Sequence, residues 1–190
     1  HYKTDEILMI IFSNIKSILL IIFLGLITSC SSNQSMKPQD FKDKKPRLVI
    51  EEYLSGNVKA WGILQNRSGK VTRQFSATLN GNWDGKKLIL DEKFNWDDGE
   101  VQDRQWHITK LDEHNYEGTA SDVVGKAKGY SYGPAFKFEY VLLVPVKGKE
   151  IKITFDDWIF MQDEKVAINR AKMTKFGFKV AELTVFFVKE

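Results

Sequence analysis

The residues with chemical reach gather late in the chain. The stretch Ile153 to Arg170 (ITFDDWIFMQDEKVAINR) carries adjacent carboxylates, Asp156 and Asp157, and an Asn169–Arg170 pair. Two carboxylates can divide acid and base work, as in glycoside hydrolysis, if both face one substrate. An arginine beside a carboxylate can instead clamp an anionic ligand. Glu92 and His107 form the best acid–base pair on offer, and Arg73 shares the Glu92 face. Asp122, in SDVVG, reads first as turn chemistry. No nucleophile elbow, HExxH, phosphate loop or dinucleotide-binding glycine pattern is present. Cys30 is the single cysteine and His1, His107 and His114 are the only histidines. An intrachain disulfide is therefore impossible, and a zinc site built from Cys and His is disfavoured. No metal or cofactor is expected.

Strand parity must decide which of these side chains can meet, so the elements come next. Hydrophobic residues make up 43% of the chain and charged residues 28%, as in an ordinary globular domain. Aromatics reach 13% and are spread evenly, which favours strands. The net charge of +3, with no basic stripe, argues against nucleic acid.

The N-terminal part reads as an address. An apolar run, Ile18 to Ile27, follows Lys16 and ends in Leu26-Ile27-Thr28-Ser29-Cys30. This matches a signal-peptide core followed by the lipobox of bacterial lipoproteins, which implies cleavage before Cys30 and acylation of its thiol. Asp5 and Glu6 sit poorly before such a core, which places the start of translation at Met9 or makes the chain a fragment. Residues 1–29 are thus expected as signal peptide, and 30–46 as a lipidated cysteine plus flexible tether. Residues 47–190 are expected as one domain. The anchor implies the bacterial envelope, and the outer membrane, facing the periplasm, in a two-membrane cell.

From Val58 onward, alternating segments are separated by Ser68-Gly69, Asp84-Gly85, Asp98-Gly99, Gly133-Pro134, Lys147-Gly148 and Asp163-Glu164. That is the pattern of sequential antiparallel hairpins. A two-residue loop at Ser68-Gly69 pairs Val58 with Leu79 and Gly62 with Phe75. One at Asp84-Gly85 pairs Leu79 with Leu90. One at Lys147-Gly148 pairs Leu142 with Ile153 and Tyr140 with Phe155. Each register matches apolar to apolar. The expected fold is all-β, an up-and-down meander of about 8–10 strands closing into a lipocalin-like barrel that can hold one small ligand. A two-sheet sandwich is the alternative.

Parity separates the doubled aspartate, because neighbours on a strand face opposite ways. Asp157 continues the inner face, where Phe138 opposes it, and Asp156 points out. A two-residue loop at Asp163-Glu164 sets Arg170 opposite Asp157. Two readings follow: a buried ion pair that fixes register, which is favoured, or a ligand clamp. Phe138, Tyr140, Arg73 and Glu92 complete the tentative ligand-facing set. At Asp98-Gly99 a one-residue slip packs better, bringing Trp106 and Ile108 inside and leaving His107 outside. Trp158 and Phe160 fall outside, under the C-terminal segment or as an apolar patch.

The chain resembles the uncharacterised bacterial lipoprotein family catalogued as domain of unknown function 3833. The resemblance rests on Ala60-Trp61-Gly62, Trp83-Asp84-Gly85, Leu90-Asp91-Glu92, Asp98-Gly99-Glu100, Asp122-Val123-Val124-Gly125, Phe155-Asp156-Asp157-Trp158 and Asn169-Arg170-Ala171. It implies a lipoprotein and brings no catalytic residue. Through the fatty-acyl-modifying enzymes that such proteins often neighbour, it tilts the ligand toward lipid. The leading expectation is a membrane-anchored barrel that binds or shuttles an apolar or fatty-acyl ligand. The alternatives are an accessory lipoprotein acting through protein contacts, and a lipid-modifying enzyme using Glu92 and His107.

Overall fold

The computed structural model describes residues 35–190. The apolar run, the lipobox and Cys30 lie outside the described residues. Among the described residues no helix is long and apolar enough to cross a membrane.

Ten antiparallel strands follow one another around a closed barrel. They are β1 (Gly56–Asn66), β2 (Val71–Trp83), β3 (Lys87–Trp96), β4 (Val101–Lys110) and β5 (Asn115–Thr119). β6 (Ala127–Tyr132), β7 (Ala135–Val146), β8 (Lys149–Met161), β9 (Val166–Lys175) and β10 (Phe178–Lys189) complete it. β10 pairs with β1 from Val58↔Lys189 to Asn66↔Ala181, which closes the wall and excludes an open sandwich. Closure removes the exposed edges that a meander would otherwise present.

Three hairpins take the expected face, and the fourth does not. Val58↔Leu79 and Gly62↔Phe75 hold on the first, with a bulge at Leu64/Gln65. Leu142↔Ile153 and Tyr140↔Phe155 hold on the seventh strand. There Lys147 and Gly148 both adopt positive φ, 50° and 76°, as a primed two-residue turn requires. Between β2 and β3 the register slides by two, so that Leu79 opposes Glu92 and Gly81 opposes Leu90. The Asp84 carboxylate accepts the Lys86 and Lys87 N–H groups and moves the turn one residue onward, leaving parity intact.

The β8–β9 loop has three residues rather than two. The Gln162 N–H donates to the Val166 carbonyl, and Asp163 Oδ1 accepts from the N–H groups of Lys165 and Val166. One extra residue reverses the parity of all β9. Asp157 therefore opposes Ala171, and Arg170 opposes Trp158. The expected Asp157–Arg170 face-to-face pair is corrected: Arg170 points outward and pairs with Glu182.

One end of the barrel is plugged. A single helical turn, α1 (Ile50–Tyr53), enters it with Leu48, Ile50, Tyr53 and Leu54 buried. The Lys189 ammonium donates to the carbonyls of Glu52, Tyr53 and Ser55, which supplies partners at a helix C-terminus. Gly81 lets the plug seat, since a Cβ there would lie 1.9 Å from the Leu54 carbonyl oxygen. The buried Glu51 carboxylate accepts from the Lys110 ammonium and from the Tyr116 hydroxyl. Burial alone would raise its pKa, but these hydrogen bonds outweigh that and hold it below the ordinary glutamate value.

Part of the expected tether belongs to the folded unit. Pro38–Phe41 forms a 3-10 turn, and the Phe41 ring packs against Trp158 and Phe160 at centroid distances of 6.0 and 5.5 Å. The cover over these outward aromatics thus comes from the N-terminal side, not from the C-terminal segment.

Candidate functional site

Within the barrel lies a partly open cavity of about 100 Å³, lined mostly by aliphatic and aromatic side chains, from eight strands and from Ile50 and Leu54 of the plug segment. Its aromatic wall is continuous: Trp106 meets Phe138 at 5.1 Å and Tyr140 at 5.3 Å, and Tyr140 stacks on Phe155 at 5.0 Å. Five polar side chains break this wall: Glu92, Arg104, Tyr140, Asp157 and Asn169.

Their arrangement follows from parity. With Leu88↔Ile108 and Leu90↔Trp106 paired, the inner face of β4 also carries Arg104, opposite Glu92. The slipped register expected from packing therefore holds, and its consequence is a buried cation. The loop after β5 completes the cluster. β5 pairs with β4 only along His107–Lys110, so Val101–Trp106 has no ladder partner on that side. The loop instead bridges to β7, through Val123↔Leu142 and the Leu143 N–H donating to the Asp122 carbonyl. Across this seam the Arg104 guanidinium donates to Asp122 Oδ2, at 3.0 Å from Nη2 and 3.1 Å from Nε.

Asp157 is well satisfied. It accepts the Tyr140 hydroxyl at 2.9 Å and the Asn169 amide, which also donates to the Trp158 carbonyl at 3.0 Å. Glu92 is not. Its Oε2 is buried without a hydrogen-bond partner, and the nearest charge is Arg104 Nη1, 3.8 Å away. Burial pushes the Glu92 carboxyl up to about 7; Arg104 and, more weakly, the Trp106 indole oppose the shift while Asp157 and Asp122 add to it. Burial likewise lifts Asp157 to about 6, against the hydrogen bonds from Asn169 and Tyr140. Three carboxylates thus surround one guanidinium.

Of the residues singled out from the sequence, Glu92, Phe138, Tyr140 and Asp157 line this cavity. Arg73 does not reach it. It sits toward the rim, 4.0 Å above the Trp96 ring, with ion pairs to Asp98 and Glu100 at 2.8 and 2.7 Å. Arg170 faces out. His107 pairs on the outer face with Ile89 and contacts Gln105, so it cannot work with Glu92 on one substrate. Arg104 and Asn169 were missed as site residues. The first was marked by the Trp106/Ile108 parity; the second became legible only with the loop length after Met161. Among the described residues no group of three or more His, Cys, Asp or Glu is placed to hold a metal ion.

A family described as "Protein of unknown function (DUF3833)" matches residues 24–189. No curated protein sequence matches. Among solved structures, a protein of unknown function from the DUF3598 family of Nostoc punctiforme superimposes with a TM-score of 0.57 at 14% identity. That match covers 77% of this chain and 51% of the other, so the present chain spans about half of that protein. An S-type phycobiliprotein lyase from Guillardia theta superimposes with a TM-score of 0.53 at 8% identity, over 74% of this chain and 90% of the lyase. These likenesses establish the fold.

Proposed function

The chain belongs to the DUF3833 family, and we propose that it is a lipid-anchored envelope protein whose barrel binds or shuttles an apolar or acyl ligand. The observation that carries this reading is the cavity inside the barrel, with an aromatic wall and a buried Glu92 oxygen that no protein group hydrogen-bonds. A barrel built only for stability has no use for such a group, because an unsatisfied buried acceptor costs about 1–3 kcal/mol. At about 100 Å³ the space suits some seven to ten heavy atoms, taking about 10–15 Å³ for each water-sized unit. A longer acyl chain enters only in part, or parts the wall. The seam between the first half of β4 and the Asp122 loop offers a route, since side chains rather than a ladder close it. The lipobox pattern ending at Cys30 supports an anchor at a membrane surface, the outer membrane in a two-membrane cell. The small-ligand reading also fits the shared architecture with a phycobiliprotein lyase.

Native mass spectrometry of the full protein released from its host membrane tests this. A noncovalent adduct retained by the barrel is expected, besides the mass of the acyl anchor. Protein free of any adduct, and unable to take up short apolar molecules, overturns the reading.

A second reading has its own observation. Trp61 and Phe186 are 48% and 43% exposed, and both line a shallow groove on the outer wall of β1, β2, β3 and β10. An accessory role through protein contacts uses that groove. Crosslinking from Trp61 in cells that captures no partner counts against it.

A further inference from the structure

The cavity lining also carries information about the polar end of the ligand. We propose that this end is a hydrogen-bond donor, an amine first and an alcohol second, received by Glu92, and that a carboxylate is rejected. The proposal rests on the ligand-binding reading given above.

The charges decide the sign. Arg104 is the only cation lining the cavity, and Asp122 already engages it from the seam through two nitrogens. What remains facing the cavity is acidic: Glu92 and Asp157, with Asp122 behind Arg104. A fatty-acid carboxylate placed here becomes a fourth anion around one guanidinium, and like charges brought together in a buried site disfavour ionisation. An ammonium group restores the balance.

Hydrogen-bond capacity points the same way. Asp157 has both oxygens occupied, by Tyr140 and Asn169. Asp122 Oδ1 is also without a partner but lies behind Arg104, outside the lining; among the lining side chains Glu92 Oε2 is the acceptor left without one, and an acceptor needs a donor. The 3.8 Å spacing from Arg104 Nη1 to Glu92 Oε2 is a charge contact too long for a hydrogen bond. Aromatic faces add a cation preference. The Arg104 guanidinium already lies 5.8 Å from the Phe94 ring centre and 6.0 Å from that of Trp106, so a second cation beside Glu92 shares that environment. A short primary amine with an apolar body of six or so carbons fills the cavity by the same volume count.

Isothermal titration of the full-length protein with hexylamine, 1-hexanol and hexanoate at pH 8 tests this. Hexylamine is expected to bind tightest, with hexanoate about tenfold weaker or undetectable, the scale of one charge-assisted hydrogen bond. In Glu92→Gln, checked for an unchanged far-ultraviolet spectrum, hexylamine and 1-hexanol should bind within about threefold of each other, because an amide no longer singles out a cation. Hexanoate binding as tightly as hexylamine to the wild type overturns the proposal and leaves the ligand-binding reading standing. An amine preference that survives Glu92→Gln does the same. If none of the three binds, the ligand-binding reading falls, and this one with it.

Discussion

Glu51 and Glu92 are both carboxylates buried in this barrel, and the protein treats them in opposite ways. Glu51, at the plugged end, receives Lys110 and Tyr116 and titrates below the ordinary glutamate value. Glu92, in the cavity wall, has an oxygen with no hydrogen-bond partner, and burial pushes its carboxyl up to about 7. The first is structural wiring: its partners fix α1 in the barrel end. The second has one oxygen that no protein group completes. A buried polar group with all its partners argues for architecture, and one without them argues for a ligand.

The comparison can be broken or sharpened by mutation. The largest effect should come from Gly81→Val, which drives a side chain into the Leu54 carbonyl and unseats the plug. A loss of about 3–5 kcal/mol in urea unfolding is expected. Glu51→Ala leaves a Lys ammonium and a Tyr hydroxyl facing each other at the same end, and should lose about 3 kcal/mol.

Glu92→Gln should act in the other direction. Because the folded carboxyl is pushed up to about 7 and the unfolded one titrates at 4.5, both are protonated only well below pH 4.5. As pH rises from about 4.5 through 7 the unfolded state ionises first, so wild-type stability falls across that window. The loss is about 3 kcal/mol by the linkage of 1.36 kcal/mol per pH unit. Glu92→Gln should remove that slope, leaving the variant about 3 kcal/mol more stable than wild type at pH 8 and near wild type at pH 4. Glu51 contributes oppositely: its stabilisation is present above the unfolded value and disappears as pH falls through its lowered folded value. Denaturation curves across pH 4–8 for the two variants should therefore both depart from wild type at the alkaline end, in opposite directions: Glu92→Gln above it and Glu51→Ala below it.

Smaller effects test the rest of the cluster. Tyr140→Phe removes one of the two donors to Asp157, should lose about 1 kcal/mol, and should move that carboxyl above its present value of about 6 in a carbon-13 titration. Arg170→Ala should change stability by less than about 0.5 kcal/mol, because its ion pair with Glu182 lies on the outer face with the arginine 60% exposed.

That last contrast marks where sequence reading stopped. Apolar matching across a hairpin is a strong signal when the turn chemistry is unambiguous. Ser68-Gly69 and Lys147-Gly148 therefore delivered residue-level registers that the structure reproduces, and the ten-strand meander followed. Aspartate-containing turns were harder. The carboxylate of Asp84 shifts its turn by a residue, and that of Asp163 supports a three-residue loop. A dipeptide pattern does not distinguish these lengths. On β3 the error preserved parity and left Glu92 inside. On β9 it exchanged Arg170 for Asn169, so the expected ion pair became an amide–carboxylate hydrogen bond. Arg104 was overlooked because a lone arginine in a strand reads as solvated. Its contact with Asp122 depends on a loop that leaves the β4 ladder, which no periodicity records.

The most direct test is a crystal structure of the protein isolated from its own host, without added ligand. The expected result is density for a non-protein molecule inside the barrel, its polar end within about 3 Å of Glu92 Oε2, the reach of a charge-assisted hydrogen bond. An interior in which ordered waters alone satisfy Glu92 would contradict the assignment and return the cavity to the status of a packing defect.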